Sequence, residues 1–279
     1  MIEFTKERIL KKYRATLAEE INGYNRPSLK SNNSINFEIE YYENKITLFM
    51  NYLENEEVYG YEKILEDANK AFDVIEYSLD NNGEIDAILN QSEIISKWNI
   101  IRKKILVETK DKMAINTLFG LSGRIENEAA LLDILKRFFV IPYLFIGIHN
   151  FKFSKYSSCR KEGYLYNVFP FEDIPVIYEI NEENENNSNN EKKIRLVGKV
   201  DPCFDRFAYI DKLKDEYRDN LPSLNNSANL SMAIDGSHIY NNDNTLNEMY
   251  YHAKVEISSL LKYSSKYEIL SRDDENDEI

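Results

Sequence analysis

Alternation between hydrophobic and polar residues predicts β-hairpins along much of the chain. Alternating runs in residues 37–41 and 46–50 predict one hairpin. The clearest hairpin lies in residues 74–89, where Asn82 and Gly83 separate two apolar runs. Asn-Gly favours a tight turn because both residues tolerate positive φ angles. Further strands are predicted over residues 176–180, 194–200, 229–235 and 248–260.

Apolar residues at helical spacing predict several amphipathic helices between the hairpins. Thr5 suits the N-cap of the first helix. Ser92 suits the N-cap of another, whose buried face carries Trp98, the only tryptophan of the chain. In the second half, Asp201 and Pro202 suit an N-cap and a first helical position. Helices are predicted over residues 5–22, 61–72, 92–106 and 109–140 and from Asp201 onwards, with a break in the fourth near Gly120–Gly123.

Taken in order, these elements predict an α+β fold in which antiparallel β-hairpins pack against several α-helices. Each half of the chain contains a strand pair, a helix and a second strand pair, which favours two pseudo-repeated ββαββ halves. The halves share this order but no identity signal, and an ordinary α+β domain also produces such runs. We place the N-terminal half in residues 1–150, the C-terminal half in residues 151–270 and a disordered acidic tail in residues 271–279, with an irregular junction over residues 150–170.

One local pattern resembles other proteins. Gly83-x-Ile85-x-x-Ile88-x-Asn90, followed by the helix that bears Trp98, resembles a pattern found in uncharacterised bacterial proteins. The resemblance implies no activity, cofactor or site residue. Any functional hypothesis therefore rests on the composition of the chain and on its individual residues.

The charge balance restricts the classes of partner. The 279 residues include 35 basic and 48 acidic side chains, and the formal net charge is −13. Nucleic-acid binding depends on clustered Lys and Arg, and anionic membranes attract basic segments, so this balance argues against both. It favours solubility and is compatible with a basic protein partner.

The sequence also favours a cytoplasmic setting. The first 20 residues are amphipathic and charged, unlike a secretory signal. The most apolar run, residues 138–148, is too short to cross a bilayer and contains Pro142, so we expect it to be buried. Cys159 and Cys203 are too few for a disulfide framework.

Histidines and cysteines offer little recognisable chemistry. His149, His238 and His252 belong to no metal-spaced cluster, although the last two approach each other if their strands pair. Cys203 lies in the first turn of a predicted helix, where the helix N-terminus lowers a thiol pKa. A nucleophile also needs an oriented base, which no motif supplies here. The neighbouring Asp201 would in addition oppose thiolate formation.

Acidic residues and loops give no stronger signal. Pairs such as Glu182–Glu183, Asp201–Asp205 and Asp273–Asp274 arise by chance among 48 acidic residues. Residues 80–86 superficially resemble a calcium loop but lack the spacing and terminal Glu of an EF-hand. Phosphate-binding loops, nucleophile elbows and metal motifs are absent from the sequence. We therefore predict no catalytic, cofactor-binding or metal-binding residue.

The sequence does not name an activity. The leading hypothesis is a soluble, non-enzymatic module that binds another protein, as an adaptor, a chaperone or an immunity-type inhibitor. Two alternatives from other classes are a carrier of apolar small molecules, lined by Tyr and Phe, and an unrecognised hydrolase that uses Cys203 or a carboxylate pair.

Overall fold

The structure is a computed structural model. It describes residues 2–23, 28–51, 66–138, 140–153, 158–169, 172–183, 191–216, 229–258 and 260–272. Its strands are β1 (Ile9–Gly23), β2 (Leu29–Tyr42), β3 (Lys45–Asn51), β4 (Val74–Leu79), β5 (Ile85–Ile88), β6 (Cys159–Phe169), β7 (Glu172–Glu183), β8 (Lys192–Val200), β9 (Leu230–Tyr240), β10 (Leu246–Ile257) and β11 (Leu261–Arg272).

These strands form a large antiparallel sheet of 11 strands, so the predicted mixed α+β class is confirmed. The strand order is β5-β4-β3-β2-β1-β11-β10-β9-β8-β7-β6. Neighbours in the sheet are therefore neighbours in the sequence, except where β1 pairs with β11. Some of these neighbours are hairpins with short turns, such as β2 and β3, whereas a helical segment lies between β3 and β4 and another between β8 and β9. The helices are α1 (Gln91–Glu108), α2 (Lys112–Glu126), α3 (Glu128–Lys136), α4 (Ile141–Leu144) and α5 (Arg206–Glu216).

One compact unit comprises residues 1–14, 35–151 and 271–279. Alternate residues of β2, β3 and β4 point to one side of the sheet, where they are buried. Helices α1 to α4 follow β5 and supply the rest of this core. The contact between the rings of Tyr77 and Phe145, with centroids 6.2 Å apart, joins the two layers. The largest fully buried side chains here include Trp98, Tyr77, Phe37, Ile39, Leu48, Ile75, Leu118 and Ile125.

A second compact unit comprises residues 15–34 and 152–270. In this unit the alternation is regular along β8 to β11, so that one side of each strand is buried and the other is open. Glycine is required at Gly198 because a Cβ there would lie 2.9 Å from Ile234 Cβ. The buried side of the unit includes Ile180, Leu196, Ile234, Tyr251, Val255, Tyr263 and Ile269.

Several predicted hairpins are confirmed. β2 pairs with β3, β4 with β5, and β7 with β8, each in antiparallel register. Gly83 has the positive φ of 87° that its turn requires. The order hairpin, helical segment, hairpin occurs around residues 66–72 and again around α5. The pseudo-repeat itself, and the division between residues 150 and 151, stay predictions.

The predicted helix over residues 5–22 is wrong, because this stretch contains the long strand β1. Its apolar residues fit both periods. Ile9, Tyr13 and Leu17 lie four apart, but Tyr13, Ala15 and Leu17 alternate with exposed or half-buried residues. The period of two prevails because strands on both sides pair with β1. Residues 150–170 were also predicted irregular, whereas β6 occupies 159–169, and β11 was not predicted at all.

Several predicted helix boundaries are also wrong. Helix α1 begins at Gln91, so Ser92 lies inside it. Helix α2 runs through Gly120–Gly123, and the break comes at Asn127, whose side chain accepts a hydrogen bond of 2.9 Å from Ala130 N. The helix predicted to continue to residue 140 ends at Lys136, and Pro142 lies in the first turn of the next helix, α4, where a missing N–H is tolerated.

The N-cap predicted at Asp201 lies four residues too early. Asp205 caps α5, since its carboxylate accepts hydrogen bonds from the backbone N–H groups of Phe207 and Ala208. Of the helix predicted over 61–72, residues 66–72 are helical and 61–65 lie outside the described residues. Residues 184–190, between β7 and β8, and tail residues 273–279 also lie outside the described residues, whereas Ser271 and Arg272 of the predicted tail belong to β11.

Candidate interaction surface

The structure separates the two histidines that could have shared a metal. β9 and β10 do pair, but His238 lies opposite Met249 and His252 opposite Asp235. His238 is on the buried side of its strand, where Nδ1 lies 3.2 Å from the Tyr240 hydroxyl, and His252 is on the open side. Within the described stretches, no group of three or more potential metal ligands comes together.

Cys203 does not lie at a helix N-terminus. It is exposed in the turn before α5, where its N–H donates to the Asp201 carboxylate at 2.8 Å. Asp201 and Asp205 therefore each stabilise local backbone, which accounts for this carboxylate pair without catalysis. Glu183 forms ion pairs with Lys193 and Arg195 on neighbouring β8, while Asp273–Asp274 lie outside the described residues.

Residues 80–86 form a hairpin turn rather than a cation site. The Asp80 carboxylate accepts hydrogen bonds of 2.9 Å from the N–H groups of Asn82 and Glu84. Burial alone would raise the pKa of Asp80, but these backbone hydrogen bonds outweigh it and lower the pKa. The turn is thus held by its own side chain, as in an Asx turn.

His149 packs against the same turn. Its ring stacks on Phe4 with centroids 4.8 Å apart, and the backbone N–H of His149 donates to the Asn82 carbonyl oxygen at 2.7 Å. Side-chain Nδ1 is buried, has no hydrogen-bond partner among the described residues, and faces Gly83, where a Cβ would lie 2.1 Å away. Burial lowers the pKa of His149 to about 4, partly opposed by the Asp80 carboxylate. A neutral, packed imidazole results, which suits structure better than catalysis.

Tyrosine hydroxyls are paired inside the second unit. The Tyr178 and Tyr251 hydroxyl oxygens lie 2.9 Å apart, and the Tyr263 hydroxyl donates to Glu19 at 2.7 Å. Burial raises the pKa of Tyr178 to about 12, against the effect of the hydrogen bond with Tyr251. Burial, with a smaller contribution from the Glu19 carboxylate, also raises the pKa of Tyr263. The Tyr178 and Tyr251 hydroxyls thus satisfy each other, and the Tyr263 hydroxyl is satisfied by Glu19.

The strongest candidate for a functional surface lies on α1 and α2. Asp111 caps α2 by accepting a 2.8 Å hydrogen bond from Met113 N, so the two helices follow each other closely. Their inner sides are tied together at Ser122, whose hydroxyl accepts from Trp98 Nε1 at 2.9 Å and from Arg102 at 2.8 Å. The same hydroxyl donates to the Leu118 carbonyl oxygen. Packing and hydrogen bonds thus fix the inner side of this pair.

The outer sides of the same helices expose large apolar side chains. The exposed fractions are 69% for Ile100, 87% for Val107, 68% for Met113 and 58% for Phe119. Ile100 and Val107 are seven residues apart and therefore share one stripe of α1. Contiguous exposed apolar patches mark interaction sites, whereas single exposed apolar residues are normal on a protein surface.

Lysines lie among these apolar side chains. Lys103 and Lys104 fall between Ile100 and Val107, while Lys112 precedes Met113. All three lysines, and Lys110 between the helices, are exposed and form no ion pair with any described residue. We call the set the basic–apolar face; its members are Ile100, Lys103, Lys104, Val107, Lys110, Lys112, Met113 and Phe119.

The local charge contrasts with that of the chain. Residues 97–124 contain seven basic and two acidic side chains, whereas the whole chain has 35 and 48. A count of charged residues over this window would have found the basic character of the face from the sequence. Apolar exposure could not have been found in that way, because helical spacing alone does not tell which of several apolar stripes is covered.

A second, smaller site is a pocket of about 250 Å³ on the open side of β2, β3 and β4. The Arg8 guanidinium lies 5.4 Å from the centre of the Tyr42 ring and 3.5 Å from the Glu40 carboxylate. Thr47 and Glu76 also line the pocket. Arg8 already occupies the aromatic face and neutralises one carboxylate, so the pocket is weaker evidence for a ligand than the basic–apolar face.

Comparison with known proteins adds no assignment, since neither the family models nor the curated proteins include a match to this chain. Among the described residues, no helix combines the length and the apolar character needed to span a membrane. The functional argument therefore rests on the geometry of the chain itself.

Proposed function

We propose that this protein is a non-enzymatic protein-binding module that binds an acidic partner on its basic–apolar face. The observation that carries the proposal is that exposed apolar side chains alternate with lysines that form no ion pair within the described part of the chain. Burial of apolar surface contributes about 25 cal/mol per Å², which provides the affinity. Carboxylates of the partner would pair with the lysines and fix its orientation.

The charge of this face favours an acidic partner, whereas the net charge of the chain favours a basic one. A formal charge of −13 is compatible with a basic partner, but the face with exposed apolar groups is itself basic. An acidic partner is repelled by most of the chain and attracted at this face. Such a contrast restricts binding to one orientation, because like charges suppress the others.

A protein fits this face better than a nucleic acid or a membrane. Only Phe119 among the four apolar residues offers an aromatic ring for stacking on a base, whereas single strands are bound by several such rings. The net charge of −13 repels polyanions and anionic lipid surfaces over the Debye length. We include a cytoplasmic setting in the proposal, which the free, exposed thiol of Cys203 supports.

Affinity purification with matched variants tests the proposal. Ile100→Asp places a charge in the face, and Leu29→Asp places the same charge at an equally exposed residue of β2, since both side chains are 69% exposed. We expect one acidic protein to be retained in stoichiometric amount by the wild type and by Leu29→Asp, but not by Ile100→Asp.

Charge reversal at Lys103 and Lys104 to Glu supplies the electrostatic test. Retention should fall with this double variant and with rising salt, because exposed charges are screened. A partner retained equally by both face variants would overturn the proposal. So would a retained component that is nucleic acid or lipid rather than protein.

A further inference from the structure

The two edge strands of the sheet differ in length. One edge strand is β5, with four residues, and the other is β6, with 11 residues. Within the described part of the chain, β6 pairs on one side only, with β7. A long edge strand presents unpaired backbone groups that can pair with another chain, and proteins usually prevent this with short strands, proline, bulges or charged side chains.

The exposed side of β6 carries opposite charges two residues apart. Arg160 and Glu162 are both exposed, and neither forms an ion pair or hydrogen bond through its side chain with any described residue. Arg160 lies opposite Glu179 of β7 without an ion pair. Like charges on an edge strand repel a second copy of the chain. The order Arg160, Glu162 instead brings opposite charges face to face when a second β6 runs antiparallel to the first.

We propose that β6 pairs in antiparallel register with β6 of a second copy of the chain, centred on Lys161. In this register Arg160 lies opposite Glu162 of the second copy, and Glu162 opposite its Arg160. Cross-strand pairs of opposite charge stabilise a sheet, whereas like charges directly opposite destabilise it. The proposal is independent of the partner bound on the basic–apolar face.

Charge selects this register among the symmetric ones nearby. A centre on Arg160 would place two arginines opposite each other, and a centre on Glu162 would do the same with two glutamates. With the centre on Lys161, the two Lys161 side chains are the only like charges opposite each other among residues 160–162. They lie on the other side of the sheet from the two Arg160–Glu162 pairs. The register between β6 and β7 shifts between Leu165 and Phe169, so the regular edge is confined to the first part of β6.

Sedimentation of the full chain over a range of concentrations tests the dimer. We expect a reversible dimer for the wild type and a dissociation constant about tenfold higher for Arg160→Glu, since both symmetric pairs become repulsive. The double variant Arg160→Glu/Glu162→Arg should restore the dimer, because the swapped charges are again complementary. Lys254→Glu, an exposed charge reversal on β10, is the control and should have no effect.

A crosslink at the centre of the register tests the geometry separately. Lys161 lies opposite itself in the dimer, with Cα atoms about 4.5–5.5 Å apart. In a Cys203→Ser background, Lys161→Cys should therefore be joined to its copy by a short thiol-reactive crosslinker, whereas Lys254→Cys should not. A wild-type chain that is monomeric at all concentrations would overturn the proposal. A dimer that ignores the charge swap but dissociates on Ile100→Asp would also overturn it and point to the basic–apolar face.

Discussion

Two exposed regions of this protein differ in whether their charged side chains form ion pairs. On the open side of β7 to β9, cations and carboxylates pair across strands: Lys193 with Glu183 at 3.0 Å and Arg195 with Asp235 at 3.2 Å. On α1 and α2, Lys103 and Lys104 have no such partner among the described residues. Large apolar side chains are also interspersed with the lysines there. The charges of the first region are neutralised by neighbouring strands, whereas the lysines of the basic–apolar face are the groups with which the proposed acidic partner would pair.

The largest expected effect contrasts the two sides of α1. Trp98 is fully buried and donates a hydrogen bond to Ser122, so Trp98→Ala should lower the free energy of unfolding by about 3–5 kcal/mol. Ile100, two residues away, is 69% exposed, and Ile100→Ala should change it by less than about 0.5 kcal/mol. Urea unfolding of both variants measures the difference. A large loss with Ile100→Ala would mean that this side of the helix is covered.

The next effect is a pH dependence that contrasts His149 with His252. The pKa of His149 is lowered to about 4 from 6.5, so the unfolded chain binds this proton more readily than the folded one. Its contribution to stability is present above pH 6.5 and is lost as pH falls towards 4, by about 1–3 kcal/mol for a half-buried group. NMR titration of both rings, with denaturant unfolding at each pH, tests this.

His252 supplies the comparison for that titration. Burial lowers its pKa, with smaller contributions from Lys254 and Lys266, but its ring lies on the open side of β10. Replacement of His149 by Phe should flatten the acid limb of the stability curve, whereas His252→Phe should leave most of that limb in place. An unchanged limb in the His149 variant would contradict the assignment of that limb to its burial.

Glycine substitutions should have opposite signs in the two units. A Cβ at Gly120, in the middle of α2, would meet no atom within 4 Å, so Gly120→Ala should stabilise the chain by about 1 kcal/mol. A Cβ at Gly198 would lie 3.0 Å from Val176 Cγ1 as well as close to Ile234, so Gly198→Ala should destabilise by about 1–3 kcal/mol. Thermal unfolding of the two variants gives the signs directly. Destabilisation by Gly120→Ala would show that something already covers that side of α2.

The sequence predicts the secondary structure of some regions and not of others, for physical reasons. The hairpins around Gly83 and over β7–β8 follow from alternation and turn chemistry, which act locally. Burial of Trp98 follows from the size of its side chain. β1 could not be assigned in this way, because Tyr13 and Leu17 satisfy a helical period and a strand period alike, and only pairing with distant β11 decides. The edge position of β6 depends on the whole strand order, so no local signal predicts it.

The smallest expected effect tests the charge comparison itself. Arg195→Glu removes the ion pairs with Asp235 and Glu183 and should lower the free energy of unfolding by about 0.2–1 kcal/mol. Lys103→Glu removes no ion pair with a residue that the structure describes and relieves repulsion from neighbouring lysines, so it should leave stability unchanged or raise it slightly. The difference should shrink in high salt, because both side chains are exposed. Equal losses for the two variants at low salt would mean that the lysines of α1 already contribute to folding, and the basic–apolar face would then no longer require a partner to account for its charge.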